Sequence, residues 1–159
     1  MAKIKRSEVM TFMNVNPSGA ASYKLIGDGV TTGAIGYNPK TTEETYIHED
    51  SASISVESYA PNMPVEAMAV SGDDVFEFVD ALRVARAVLD DAETDIVNVW
   101  AYESGGPTAY PAEKQTVSIQ IDEFGGDGGA AVKINYTINF IGDPIPGTFN
   151  ASTSAFTPS

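Results

Sequence analysis

Two segments of strict alternation constrain the fold of this chain more than any other feature. Apolar and polar residues take turns between positions 116 and 122, and again between positions 132 and 140. Successive side chains of a β-strand point to opposite faces of its sheet, so each segment predicts a long strand with one buried and one hydrated face. The glycine-rich stretch 125–129 between them predicts the loop of an antiparallel hairpin.

Shorter segments of similar character occur along the rest of the chain. Residues 49–51 are turn-prone and predict a hairpin between the strands on either side. Residues 30–40 are punctuated by glycine and proline, which predicts a long loop. The additional strands are expected at residues 8–15, 22–26, 42–48, 52–59, 65–70 and 94–102.

One segment, about 73–89, predicts a helix. Asp73 and Asp74 supply a cap and place negative charge in the first turn, where the helix dipole favours it. Apolar residues then recur at spacings of three and four, as in Val75, Val79 and Leu82. The fold class predicted is mainly β, an antiparallel β-sandwich or partial barrel with one flanking α-helix.

The predicted organisation is a single domain with two extensions. Residues 1–20 form an N-terminal arm and first strand, and residues 21–147 form the β-sandwich domain. Residues 148–159 are rich in serine, threonine and alanine, which predicts a flexible tail.

The chain is strongly acidic. It has 9 Lys and Arg against 22 Asp and Glu, a net charge of −13. Stable DNA binding depends on cations that neutralise phosphates, so this charge disfavours it, and it disfavours anionic membranes as well. Solubility alone explains such a charge, but so does a surface that DNA must pass without adhering, and composition does not choose between them. The charged N-terminus predicts no signal peptide, and no apolar run approaches the roughly 18–20 residues of a membrane span.

Few residues are suited to catalysis. The chain has no cysteine and a single histidine, His48, which we interpret as a surface residue at a strand end. The acidic pairs Glu43–Glu44, Asp73–Asp74 and Asp90–Asp91 each have a structural interpretation at an element boundary. We therefore predict no enzymatic activity, no catalytic residue and no cofactor. The oxygen-rich stretch 122–128 fails the spacing of an EF-hand loop; a weak divalent-cation site near it stays open beside the simpler interpretation as a hairpin tip.

Three long segments resemble the tail tube proteins (major tail proteins) of siphophages and related prophages. They are residues 41–50, TTEETYIHED; residues 113–129, EKQTVSIQIDEFGGDGG; and residues 133–144, KINYTINFIGDP. The resemblance extends from about residue 3 to about residue 149. It implies a β-sandwich with a flanking helix, six subunits to a ring, and rings stacked into a tube whose continuous barrel surrounds a DNA channel.

The same resemblance implies a location and partners. The subunit would be made and assembled in the bacterial host cytoplasm and would reside in the tail of the virion. It would bind other copies of itself and the tape-measure, tail-terminator and baseplate or distal tail proteins, while DNA passes without stable binding and no membrane is entered. Tube proteins of contractile tails, tailocins and secretion systems have related folds, so the type of machine is left open.

Polar faces of the two predicted hairpins are the candidate channel lining, because a water-filled barrel needs hydrated inward faces. Extensions that reach a neighbouring ring are the candidate inter-ring contacts. On the later hairpin the channel-lining candidates are Thr116, Ser118, Gln120, Asp122, Lys133, Asn135, Thr137 and Asn139. On the earlier hairpin they are Glu43, Thr45 and Ile47, or the opposite face with Ser53, Ser55 and Glu57, and the pattern leaves that choice open. The inter-ring candidates are Lys3, Lys5, Arg6, Asp28, Tyr37, Lys40, Phe149 and Phe156.

Two alternatives from other classes remain. A stand-alone β-sandwich that binds a ligand or mediates adhesion would need an exposed aromatic cluster, and the only tryptophan, Trp100, has core-like neighbours. An enzyme would need a carboxylate-dependent mechanism.

Overall fold

In the part of the chain that the structure describes, ten strands and one α-helix form the fold. The computed structural model describes residues 1–103 and 105–159. The helix α1 spans Asp74–Ala85, and two short 3-10 helices span Arg6–Glu8 and Leu89–Ala92. The strands are β1 Val9–Asn14, β2 Tyr23–Leu25, β3 Val30–Gly33, β4 Pro39–Glu44, β5 Ser53–Tyr59, β6 Asn62–Met68, β7 Glu93–Trp100, β8 Tyr110–Gly125, β9 Lys133–Asn150 and β10 Ala155–Pro158.

Eight of these strands belong to one antiparallel half-barrel sheet in the order β2-β1-β7-β8-β9-β6-β3, with β10 added beside β9. The two alternating segments are the centres of β8 and β9, as predicted, but both strands extend well beyond the alternation. The long strand β9 pairs with β6 through residues 133–139 and with β10 through residues 147–150. The strands β4 and β5 form the predicted earlier hairpin, a separate two-stranded sheet.

The helix begins where the sequence predicts and ends earlier. The Asp73 carboxylate accepts a hydrogen bond from the Phe76 backbone N–H at 3.1 Å. Arg86 adopts a left-handed conformation with φ 49°, and the next backbone N–H bonds back to the Leu82 carbonyl at 3.1 Å. A left-handed residue closes a helix because its backbone cannot continue the α-helical path, so the predicted extension to residue 89 is wrong.

Two cores lie on opposite faces of the large sheet. Met13 opposes Ile96 in the β1–β7 pair, and Phe12 opposes Val97 one residue further along. Opposed residues share a face and adjacent residues do not. The helix-side core contains Met13, Met63, Val65, Ala67, Val75, Val79, Ile96, Val117, Ile119, Ile134, Tyr136 and Ile138. The Phe149 core on the other face contains Phe12, Tyr23, Val97, Val99, Ala112 and Phe149.

The C-terminal segment differs from the predicted flexible tail. Residues 148–150 complete β9, and β10 returns beside them with Phe156 opposite Phe149. The Phe149 ring is fully buried and lies 4.5 Å from the Phe12 ring, centroid to centroid. The polar composition of the segment suggested disorder. Phe149 and Phe156, which pair across the two strands, nevertheless supply enough apolar surface to stabilise the hairpin.

The predicted loop 30–40 is also partly wrong, because it contains β3 and the start of β4. Asn38 redirects the chain between them with φ 45°, a conformation that asparagine tolerates better than most residues. Its side-chain amide donates to the Ala60 carbonyl at 3.0 Å and to Asn62 Oδ1 at 3.2 Å. These bonds fix the base of the β4–β5 hairpin to the edge of the large sheet.

Candidate channel face and assembly surfaces

The polar residues of β8 and β9 lie together on one face of the large sheet. Ser118 opposes Asn139, and Gln120 opposes Thr137. The Asn139 amide donates to Gln120 Oε1 at 3.3 Å, and Gln120 Nε2 donates to Asp122 Oδ1 at 2.6 Å. Hydrogen bonds between and along the strands therefore organise this surface, which we call the polar face and which also includes Thr116, Asn135 and Lys133.

Asp122 is held by neutral partners. It lies at an irregularity of the β8–β9 register, and its second carboxylate oxygen accepts a hydrogen bond from Thr137 Oγ1 at 2.7 Å. Within the described residues, Lys133 forms no ion pair with Asp122 or with any other carboxylate. Thr137 itself is only 8% exposed, so its role is to hold the Asp122 carboxylate in place, and little of its own side chain reaches solvent.

Flanking strands add carboxylates to the polar face that the sequence analysis missed. Glu66 of β6 opposes Asn135, and Glu93 and Asp95 of β7 oppose Ser118 and Thr116. Knowledge of strand order was needed to place them.

Asp95 has a structural role at the junction of the polar face and the Phe149 core. Its carboxylate accepts hydrogen bonds from Asn14 Nδ2 at 2.9 Å and from the Tyr23 hydroxyl at 2.5 Å. Burial, and then the hydrogen bond and charge of Asp95, raise the pKa of Tyr23 well above its usual range. The tyrosine therefore stays a neutral donor that ties β2 to β7.

The β4–β5 hairpin is exposed along nearly its whole length. Edge-to-face contact between Tyr37 and Tyr59, with centroids 6.3 Å apart, closes its base. Further out, Thr42 donates a hydrogen bond to Glu57, whose carboxylate also lies 3.6 Å from Lys40 Nζ. No residue of β4 or β5 is buried, so the protomer itself covers neither face of this hairpin.

The register divides the channel-lining candidates of this hairpin between its two faces. Glu43 opposes Ile54, whereas Glu44 opposes Ser53 and Thr42 opposes Ser55. Glu43 and Ser53 therefore point in opposite directions. The candidate Thr45 follows the end of β4. Glu43 thus lies on one face, and Ser53 and Ser55 lie on the other, so these residues remain alternatives.

The inter-ring candidates fall into four groups. Lys3, Lys5, Asp28, Tyr37 and Lys40 are exposed. Arg6 is engaged within the protomer, because its guanidinium donates to the Val9 and Gly33 carbonyls at 2.5 and 2.9 Å. Phe156 is half-buried against the Phe149 core. Phe149 is buried in that core, so it cannot contact a subunit of a neighbouring ring, and this candidate is wrong.

Large apolar side chains are exposed at several places on the protomer, two of which stand out. At the end of α1, Val84, Val88 and Leu89 are 69%, 67% and 84% exposed. At the tip of the β4–β5 hairpin, Ile47 is fully exposed and Tyr46 is half exposed.

A groove of about 820 Å³ lies near the base of the hairpin. Tyr37, Tyr59 and Trp100 are among the residues that line it, together with the carboxylate residues Glu113 and Asp143. Trp100 is half-buried, so it is partly accessible where we expected core. In the described part of the chain, no helix is long and apolar enough to cross a membrane.

Comparisons with known proteins show a likeness in structure alone. No protein-family model matches the chain, and no curated protein matches it either. Among solved structures, it is similar to a chain in the tail of an empty GTA particle, refined helically with C6 symmetry. The two agree with a TM-score of 0.64 over 98% of this chain and 99% of the other, at 11% sequence identity. This chain has the tail-tube fold.

The tail-tube fold confirms the predicted mainly-β architecture with one helix. Because the match covers 98% of the chain, the β4–β5 hairpin and the C-terminal hairpin both belong to the shared fold. At 11% identity the likeness concerns the path of the backbone alone.

Proposed function

We propose that this chain is the structural subunit of a tail tube, which assembles into stacked hexameric rings around a channel for DNA. The observation that supports it most is the near full-length similarity to a chain from a tail with C6 symmetry. The tape-measure, tail-terminator and baseplate or distal tail proteins would be its partners in the virion. Of the machines with such tubes, the long siphophage tail agrees best with the sequence resemblance.

The exposed edges of the protomer support assembly. Within the described residues, β2 and β3 each pair with one neighbouring strand and form the two edges of the large sheet. Unpaired edges invite pairing with another chain, and closing a barrel across subunits removes them. A repeated head-to-tail contact closes into a ring when its rotation divides a full turn.

The polar face supports a channel that does not retain DNA. Ser118, Gln120 and Asn139 offer small neutral groups that exchange hydrogen bonds with water, and Asp122 and Glu66 add negative charge. Affinity for DNA grows with the number of phosphates that a protein neutralises. A hexameric ring of chains with charge −13 would carry −78, which favours passage over binding.

Electron microscopy of the purified protein tests the assembly. We expect rings or tubes with sixfold symmetry as concentration increases. A protein that stays monomeric at high concentration, with and without a tail initiator, would overturn the proposal.

New positive charge inside the tube tests the channel. Ser118→Lys with Gln120→Lys should leave assembly intact and cause tubes to retain duplex DNA at low salt. The DNA should be released as salt increases, because the free energy gained from counterion release decreases with ionic strength. Ser152→Lys with Thr153→Lys, in the exposed loop before β10, makes the same charge change elsewhere and serves as the control. If neither variant retains DNA, or if a density map of the tube places positions 118 and 120 between rings, the polar face does not line the channel.

The groove beside Trp100 favours one alternative, a β-sandwich module that binds a ligand. Aromatic rings of Tyr37, Tyr59 and Trp100 could stack on a planar or sugar-like group, with Asp143 as a polar partner. A monomer whose Trp100 fluorescence titrates with a sugar library, and whose response disappears in Tyr59→Ala, would support this function in place of the tube.

A further inference from the structure

The β4–β5 hairpin concentrates negative charge at a distance from the body of the protomer. Residues 39–59 contain five carboxylate residues, Glu43, Glu44, Glu49, Asp50 and Glu57, against Lys40 as the only lysine or arginine. Six residue pairs separate its base from its tip, a length of roughly 20 Å at about 3.3 Å per residue. The apolar side chain of Ile47 is fully exposed among these charges. The hairpin tip is thus acidic with an apolar centre.

The N-terminal segment has the opposite character. Lys3, Lys5 and Arg6 are three of the nine basic residues of the chain. Ile4, between the lysines, is 57% exposed. Within the described residues, neither lysine forms an ion pair. This segment is basic with an apolar centre.

Within one copy, the two surfaces lie at opposite ends of the hairpin. Arg6 anchors the N-terminal segment to the Gly33 carbonyl at the end of β3. Gly36 then pairs with Asn62, and the hairpin leaves from that point. The basic segment is therefore near the base of the hairpin, and the acidic tip extends away from it. A second copy can supply the complement that each surface lacks.

We propose that the acidic tip of the β4–β5 hairpin in one copy binds the basic N-terminal segment of a second copy, with Ile47 and Ile4 in the same contact. The inference rests on the proposed function, since it specifies one contact of the tube. It is a head-to-tail contact, in which each copy uses one surface of each kind. Complementary charges also select this approach among acidic chains that otherwise repel one another.

Charge exchange tests the contact. Lys3→Glu with Lys5→Glu, or Glu44→Lys with Asp50→Lys, should each raise the concentration needed for assembly by about tenfold or more, because several attractions become repulsions. All four residues are exposed, so thermal melts should match the wild type. The four substitutions together should restore assembly to within about threefold of the wild type.

A matched control separates the contact from net charge. Lys3→Glu and Lys5→Glu combined with Asp90→Lys and Asp91→Lys give the same net charge as the four-residue exchange, but the new lysines lie beyond α1. This control should stay defective. Salt alone is a poor test, because it screens both the proposed attraction and the general repulsion of a −13 chain.

The outcomes are distinct. Wild-type tubes with no restoration in the exchange variant, or equal restoration in the control, would overturn the contact and leave the tube function standing. No wild-type assembly would overturn both. The chain has no cysteine, so a mixture of Ile4→Cys and Ile47→Cys proteins provides a direct check. We expect disulfide-linked pairs that contain one of each variant, and pairs of like variants alone would contradict the proposal.

Discussion

The β8–β9 and β4–β5 hairpins each contain a strand of alternating apolar and polar residues, but the apolar residues are buried in the first and exposed in the second. In β8–β9, Ile138 is fully buried between neighbouring strands under α1, whereas in β4–β5, Ile54 is 68% exposed on a sheet that nothing in the protomer covers. The strands β5 and β9 both alternate apolar and polar residues, and both hairpins are antiparallel. The difference teaches that the large sheet is stabilised by its own chain, while the apolar residues of the small sheet are available to another copy.

The largest effect should come from the core that the C-terminal hairpin completes. Phe149→Ala should lower the free energy of unfolding by about 3–5 kcal/mol, because it empties a site packed against Phe12 and Tyr23. Urea unfolding measures this loss. Phe156→Ala, at a half-buried position on the same hairpin, should cost less than half as much. Equal losses would mean that the hairpin, and not the buried ring, carries the stability.

The same substitution in both hairpins tests the comparison directly. Ile138→Ala should cost about 2–5 kcal/mol of unfolding free energy, since its side chain is fully buried. Ile54→Ala should change stability by less than about 0.5 kcal/mol in the monomer. Chemical denaturation of both variants measures the contrast, and a loss at Ile54 near that at Ile138 would show that the small hairpin packs on its own protomer.

The smallest effect concerns a buried hydroxyl in the helix-side core. Burial, and to a lesser extent the negative charge of Asp73, raise the pKa of Tyr136 above its ordinary value of about 10. Between the unfolded and folded pKa values the folded state holds the extra proton, so stability is complete below pH 10 and decreases above it.

Tyr136→Phe should remove that part of the alkaline loss, roughly 1 kcal/mol at pH 11. Denaturation at pH 8 and pH 11 measures it, with Tyr102→Phe at an exposed position as the control. An unchanged difference between the two pH values would show that the Tyr136 hydroxyl does not limit stability there.

Much of the architecture was predictable because it depends on local patterns. Alternation identified β8 and β9, the spacing of Val75 and Val79 identified α1, and Asp73 marked its first turn. The early end of α1 was not predictable, because residues 87–89 continue the apolar character of the stripe while Arg86 turns the backbone away. The sequence also predicted one polar face on β8 and β9, but not the carboxylates that β6 and β7 add to it.

The sequence by itself determined strand-forming segments, an acidic surface without cysteine chemistry, and two-faced strands suited to a hydrated barrel. Only the tertiary structure decided that Phe149 is core, that Arg6 is bonded to Gly33, and that Glu43 and Ser53 point apart. The physical reason is that periodicity depends on backbone geometry within one segment, whereas burial and register depend on which distant strand lies alongside. Strand order and cross-strand pairing bring those neighbours together, and no single segment encodes them.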